Sequence, residues 1–350
     1  MKTFFLVLFS LILVGAGCAR GNGGSTTDGG VYKTINSGQD WSQAIVVPTA
    51  AGIGTLATTD VLNMEMDPQD RSFIYIGTRQ NGMLYSEDSG ASWRQPRASA
   101  LKEGLVYKIA VSPLDSCTVY IAKGPRLFGT DDCMRTWDSE IYVDSRAEVG
   151  VVQIAPDWYD KNVIWIGLSN GDVLKSADAG RSWRTVLTAG KEISTILIHN
   201  KDSRNVLVST FNKGVYKTRN RGDDWEQVEE GLEDLKKADR VFSMTQDKGS
   251  QVVIAATAYG LHRSRNFGDS WEAIGLVTSP GQVEIRALGL DANDADTIYY
   301  AANGTFYSSK DSGATWSTDR LPSSRVPRGM IVDPADPSVV YVAVATATEK

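Results

Sequence analysis

One octapeptide, Ser309-Lys310-Asp311-Ser312-Gly313-Ala314-Thr315-Trp316, is written seven times along the chain and limits the available folds more than any other feature. The other copies run Thr34 to Trp41, Ser86 to Trp93, Thr130 to Trp137, Ser176 to Trp183, Thr218 to Trp225 and Ser264 to Trp271. The tryptophans at 41, 93, 137, 183, 225, 271 and 316 are spaced by 52, 44, 46, 42, 46 and 45 residues, so one unit of about 45 residues repeats. Each copy reads as a hairpin turn. The short Asp or Asn (Asn36, Asp88, Asp132, Asp178, Asn220, Asn266, Asp311) bonds nearby amides, Gly accepts a positive φ, and the Trp starts the next strand. The third copy has Met134 in place of Gly, which predicts an unusual constraint there.

Between the octapeptides each unit has two short apolar strands joined by a polar turn, as in Val61 to Met66 and Phe73 to Gly77, then a glycine loop and a third strand. The first octapeptide lacks a preceding strand pair, and the last pair, Gly329 to Pro334 and Val339 to Ala345, lacks a following octapeptide. Together the halves make one unit. This predicts an all-β, seven-bladed β-propeller of four-stranded antiparallel blades, its ring closed by Val31 to Thr34 and Trp41 to Val47 joining the C-terminal strands.

The octapeptide resembles the Asp-box of the bacterial neuraminidase repeat, found in sialidases, xyloglucanases, the sortilin ectodomain and the photosystem II stability/assembly factor family. That resemblance covers most of the chain and implies a box in the hairpin between the third and fourth strands of each blade, away from the usual ligand face. It says little of activity, because the repeat serves hydrolases, receptors and scaffolds.

Residues 1–18 read as an export signal: Lys2, the apolar run Phe4 to Val14, and small residues before Cys18, a context that resembles a bacterial lipoprotein box. Acylated Cys18 would anchor the chain to an extracytoplasmic membrane face, periplasmic or cell-surface, with 19–30 as a tether and 31–350 as the propeller. Cys117 and Cys133, both at one end of one blade, are expected to form a disulfide.

Ligands should meet the rim opposite the boxes. Arg286 and Arg328 occupy matching positions of neighbouring repeats, with Arg240 one residue out of step in the repeat before, and the three are expected to converge on a patch for carboxylate, phosphate or an acidic protein segment. Arg79, Tyr107, Lys108 and Tyr259 are further candidates on the same rim. The photosystem assembly family resembles this layout and uses a basic patch for protein contact.

A formal charge of −6 argues against a general nucleic-acid binder. The sialidase start motif is absent, there is one ring rather than the paired rings of xyloglucanases, and the strand-entry carboxylates are scattered. His199 and His262 fall in different repeats, and Asp291 to Asp296 lacks the Gly and Glu of a calcium loop, so no metal or other cofactor is expected. The expectation is a non-catalytic platform for an exported or envelope protein; the alternative is a propeller that binds or cleaves a surface glycan, which would make it a glycoside hydrolase.

Overall fold

The computed structural model describes residues 27–232 and 237–347. Cys18, the export signal and most of the tether lie outside the described residues, as does part of the charged connector between 226 and 239.

Seven antiparallel sheets are arranged as the repeat predicts. Blade 1 holds Val61–Met66, Ile74–Thr78 and Met83–Ser86; blade 2 holds Lys108–Ser112, Asp115–Lys123, Arg126–Thr130 and Asp138–Val143. Blade 3 comprises Val151–Pro156, Ile164–Leu168, Asp172–Ser176 and Arg184–Thr188, and blade 4 Ile193–Ile198, Val206–Thr210, Val215–Thr218 and Glu226–Val228. Blade 5 is Val241–Gln246, Val253–Thr257, Leu261–Ser264 and Glu272–Ile274; blade 6 is Ala287–Leu290, Ile298–Ala302, Thr305–Ser309 and Ser317–Arg320. Blade 7 joins the ends of the chain: Val326–Val332 and Val340–Ala345 pair with Gly30–Thr34 and Ser42–Ala44, in the order the split unit requires.

Two details depart from expectation. The closing outer strand is Ser42–Ala44 rather than Trp41 to Val47, because Val46–Thr49 turns away and pairs with Gly52–Thr55 in a separate hairpin. In blade 1 the fourth strand shrinks to a single bridge, Tyr85 to Arg94, since Pro96 stops a longer ladder.

The octapeptide turns are tied off internally. In blade 1, Ser86 Oγ donates to Asp88 Oδ1 (2.8 Å), while the amides of Gly90 and Ser92 donate to Ser86 Oγ and Asp88 Oδ1 (both 2.8 Å). Where Asn replaces Asp, the donor logic reverses. Asn36 and Asn220 give Nδ2 to Asp40 and Asp224 (2.9 Å each), which explains why those two turns carry Asp before Trp. Met134 keeps the pattern at φ 64°, its amide donating to Thr130 Oγ1 (3.2 Å), beside the Cys117–Cys133 disulfide. Glycine is preferred there for a further reason: a Cβ on Gly313 (φ 84°) would lie 2.2 Å from Ile274 of the previous blade.

The octapeptide tryptophans do more than cover their own turns. Trp93 and Trp183 donate Nε1 to Ala44 O (2.9 Å) and Ile141 O (3.0 Å) in the preceding blades. Trp225 meets Trp165 edge-on at 6.2 Å, and Trp41 meets Phe306 at 5.2 Å. They are wedges between blades.

A second set of wedges escaped the sequence reading. Third-strand cations reach the turn of the next blade: Lys33 Nζ to Ser89 O (3.0 Å), Lys175 Nζ to Arg221 O (3.0 Å), Arg263 Nη2 to Ser312 O (2.5 Å), and Lys217 Nζ to Asp269. Lys175, Lys217 and Arg263 are buried; Lys175 and Arg263 meet backbone carbonyls that the left-handed turn residues Arg221 and Ser312 expose, while Lys217 meets the Asp269 carboxylate.

Candidate functional site

The two ends of the ring differ in how they are built. On the turn rim, each octapeptide donates an amide to its own blade's first turn, as in Ser89 N to Ser72 O and Ala179 N to Asn162 O (2.9 Å each). Those first turns are capped in all seven blades by one position: Asp67, Ser112, Asp157, His199, Asp247, Asp291 and Asp333 each accept an amide two residues on. His199 does this with Nδ1, bonding Lys201 N at 3.0 Å, and burial lowers its pKa as a neutral acceptor requires. His262 is fully buried, its Nδ1 facing Thr257 Oγ1, and burial pushes it down to about 4. Asp291 and Asp294 bond Asn293 N and Thr297 Oγ1, so the segment that resembles a calcium loop serves as a turn. Among the described residues no three His, Cys, Asp or Glu side chains gather as a metal-ligand set.

The opposite rim opens on a central cavity of about 690 Å³ that continues toward the turn rim past Glu65, Lys108, Gln153 and Trp158. Its mouth is made by one repeated backbone feature. The inner strands of blades 1, 3, 4, 5 and 7 each carry a register shift, and the extra residue is turned to the cavity: Leu62, Val152, Ser194, Phe242 and Arg328. Tyr107 and Arg286 hold the same register position in blades 2 and 6, one residue before the pairs Lys108 to Ala122 and Ala287 to Ala301. One register position, occupied in all seven blades, thus presents six kinds of side chain, with arginine in the adjacent blades 6 and 7.

The matching placement read for Arg286 and Arg328 is what the structure has, on adjacent blades 6 and 7. Arg79, in the loop of blade 1, lines the same cavity, so the cationic sector is continuous over three neighbouring blades. Arg79 donates Nε to Asp60 Oδ2 (2.9 Å), and Arg286 pairs with Glu284 while its guanidinium lies 4.8 Å from the centre of the Phe242 ring. Arg328 is different. Its Nε is sealed from water without a hydrogen-bond partner, and it forms no ion pair among the described residues. Burial, with Arg286 and Arg79 alongside, lowers its proton affinity, although an arginine stays charged near neutrality.

The other sequence candidates divide. Tyr107, 43% exposed, and Lys108 line the cavity, but Lys108 Nζ is engaged by Glu65 Oε2 at 3.2 Å. Arg240 is set back from the cavity: it lies two register positions before Phe242 rather than one out of step, in a side recess of about 310 Å³ with Asn212, Asp239 and Glu284. It still touches the cluster through Phe242, whose ring centre is 5.4 Å from its guanidinium. Tyr259 is not in the cavity; it is half-buried against His262, ring centres 5.6 Å apart.

Among the carboxylates lining the cavity, Glu65 is held by Lys108 and Asp67 by the amides of Gln69 and Asp70. Glu192 remains. Its side chain is reached by water inside the cavity yet ringed by protein, and that burial raises its pKa against the pull of Arg286. Its nearness to Arg286 was not legible in the sequence, because the two residues are remote in the chain and are brought within electrostatic reach only by the ring.

No protein-family model matches the sequence, and no curated protein matches it. Solved structures do resemble the fold. The GH74 xyloglucanase from Xanthomonas campestris superposes with a TM-score of 0.66 at 17% identity, covering 82% of this chain and 51% of that one. YCF48 bound to D1 peptide gives 0.61 at 16% identity, covering 82% and 94%. The extracellular domain of a putative one-component system from B. thetaiotaomicron gives 0.62 at 13%, covering 87% and 39%. The chain therefore spans about half the length of the xyloglucanase and nearly all of YCF48. These likenesses define the class as a seven-bladed β-propeller, a fold used both by hydrolases and by proteins that bind.

Proposed function

We propose that this protein is an extracytoplasmic binding platform, anchored through acylated Cys18, whose cavity mouth takes an acidic segment of another exported or envelope protein. The observation that carries this is Arg328: a charged side chain at the mouth with no hydrogen bond or ion pair among the described residues, flanked by Arg286 and Arg79. A half-buried cation whose neighbouring carboxylates, Glu284 and Asp60, are already engaged by Arg286 and by Arg79 and Arg325 gains stability when a ligand neutralises it, and a carboxylate is the group that fits a guanidinium fork. Tyr107, Phe242, Leu62 and Val152 complete the mouth with apolar surface, which suits a peptide better than a free inorganic ion. Extracytoplasmic placement agrees with the export signal, with the disulfide and with the extracellular and xyloglucanase propellers of like fold. Among the described residues no helix is long and apolar enough to cross a membrane.

The test is calorimetric titration of the ring with hexaglutamate and hexalysine, alongside capture of envelope proteins by wild type and by the Arg79→Ala, Arg286→Ala, Arg328→Ala triple variant. Selective hexaglutamate binding that the triple variant loses supports the reading; equal binding of both peptides by both proteins overturns it.

The second reading, a glycan-binding or glycan-cleaving propeller, draws on the xyloglucanase likeness and on Glu192 as a carboxyl whose proton is held more tightly than usual. Turnover of a glycan panel that Glu192→Gln abolishes would establish it.

A further inference from the structure

The chain enters the ring on the rim that carries the arginines. Asp28 accepts from Arg325 Nε (3.3 Å), Arg325 Nη1 donates to Asp60 (2.7 Å), and Asp60 in turn holds Arg79. One step further, Gly29 N donates to Ala57 O (2.8 Å), and Leu56 N to Ile45 O (2.9 Å) closes the base of the hairpin Val46–Thr49 and Gly52–Thr55. The first described residues and the cationic sector thus share one corner of the loop rim, and the hairpin base adjoins it, its Val46 O also accepting from Trp93 N of blade 1 (2.8 Å).

That hairpin is unlike the rest of the surface. It belongs to Ser42 to Thr59, eighteen residues without a charged side chain in a protein where 22% of residues are charged. Ile53, beside its turn, is 84% exposed and Val46 is 40% exposed. A two-stranded ribbon in water normally protects its edges with charge, and this one has only Pro48.

We propose that the hairpin rests in the interface of the lipid bilayer to which Cys18 is anchored, and so turns the loop rim and its arginine mouth toward that membrane. The inference depends on the anchor proposed above. Three observations select a bilayer as the occupant. Thr27 is nine residues after Cys18, so the rim where the chain enters stays within about 30 Å of the membrane even with the intervening chain fully extended. The hairpin lacks the charges that would resist transfer to a headgroup region. The turn rim carries two sets of aspartates, in the octapeptides and in the first turns, and would be repelled by anionic lipid. A mouth held in this way would meet partners presented from the same membrane.

The experiment uses the full chain, purified with its acylation and reconstituted in vesicles of phosphatidylethanolamine and phosphatidylglycerol. Ile53→Cys, or Tyr159→Cys on the turn rim as control, supplies one free thiol for an environment-sensitive nitrobenzoxadiazole label, since Cys117 and Cys133 are paired. The expected result is a blue shift and at least about twofold brightening at position 53 on reconstitution, with no change at 159. Mass spectrometry of Cys18 and flotation with the vesicles are read in parallel. An acylated, floating protein with no change at 53 overturns the inference and leaves the anchor standing. An unacylated Cys18 with no flotation overturns the anchor and the inference with it. A change at 53 without vesicles that grows with protein concentration assigns the hairpin to a second copy of the chain, and also overturns it.

Discussion

The turn rim and the loop rim are made by the same seven repeats, yet the turn rim repeats its internal bonding from blade to blade and the mouth of the loop rim does not. There, octapeptide side chains bond octapeptide amides, octapeptide amides bond the first turns, and buried lysines bond the carbonyls left over. At the loop-rim mouth, one register position shared by the blades presents side chains that mostly differ, and Arg328 has no hydrogen bond or ion pair among the described residues. Repetition of side chain marks structure here; repetition of backbone with divergent side chains marks the surface available for recognition.

The harshest way to break this contrast is to open the ring, because both rims depend on its closure. Deleting residues 27–44 strips two strands from blade 7 and leaves Val340–Ala345 with an open edge. The expected outcome is loss of the cooperative melting transition by circular dichroism, with aggregation. A smaller effect is expected on the turn rim of blade 2, where changing both Cys117 and Cys133 to Ser should lower unfolding free energy by about 3 kcal/mol in denaturant titrations. Lys217→Met should follow at about 1–3 kcal/mol, since it leaves Asn266 O and Asp269 without their buried donor; an unchanged denaturation midpoint would show that the cation wedges are ornamental.

Acid separates the rims further. Hydrogen bonds from Thr136 and Ser182 hold Asp132 and Asp178 down to about 2, below the ordinary 3.8. Groups with depressed folded values stabilise fully above the ordinary value and lose that contribution as pH falls toward 2. His262, held neutral at about 4 against 6.5 in water, likewise loses its contribution as pH falls, beginning higher. Melting temperature should therefore decline modestly from about pH 6.5 to 4 and more steeply below, and His262→Gln should reduce the first decline if the variant folds, leaving the part that His199 contributes.

The propeller was legible in the sequence because its determinants are local: a turn with fixed Asp, Gly and Trp positions, repeated at one spacing, with a unit split between the two ends. Arg286 and Arg328 were legible for the same reason, being in register. Arg240 is two residues out of step rather than one, because Phe242 holds the matching place, five residues before Asp247 as Arg286 and Arg328 are before Asp291 and Asp333. The hairpin was read as part of a strand because Val46 and Val47 have strand propensity whichever partner they choose. The wedges Lys33, Lys175, Lys217 and Arg263 look like ordinary surface cations on alternating strands; only the neighbouring blade's open carbonyl gives them a role. Glu192 needed the ring itself, which sets it near Arg286 from two blades away.

The most direct test sets one residue from each rim side by side, Arg328→Ala and Asp178→Ala, measuring melting temperature and hexaglutamate affinity for both. The account predicts that Arg328→Ala melts no lower than wild type and binds at least about tenfold more weakly, whereas Asp178→Ala melts lower and binds normally. An Arg328→Ala protein that melts markedly lower and keeps its affinity would contradict it.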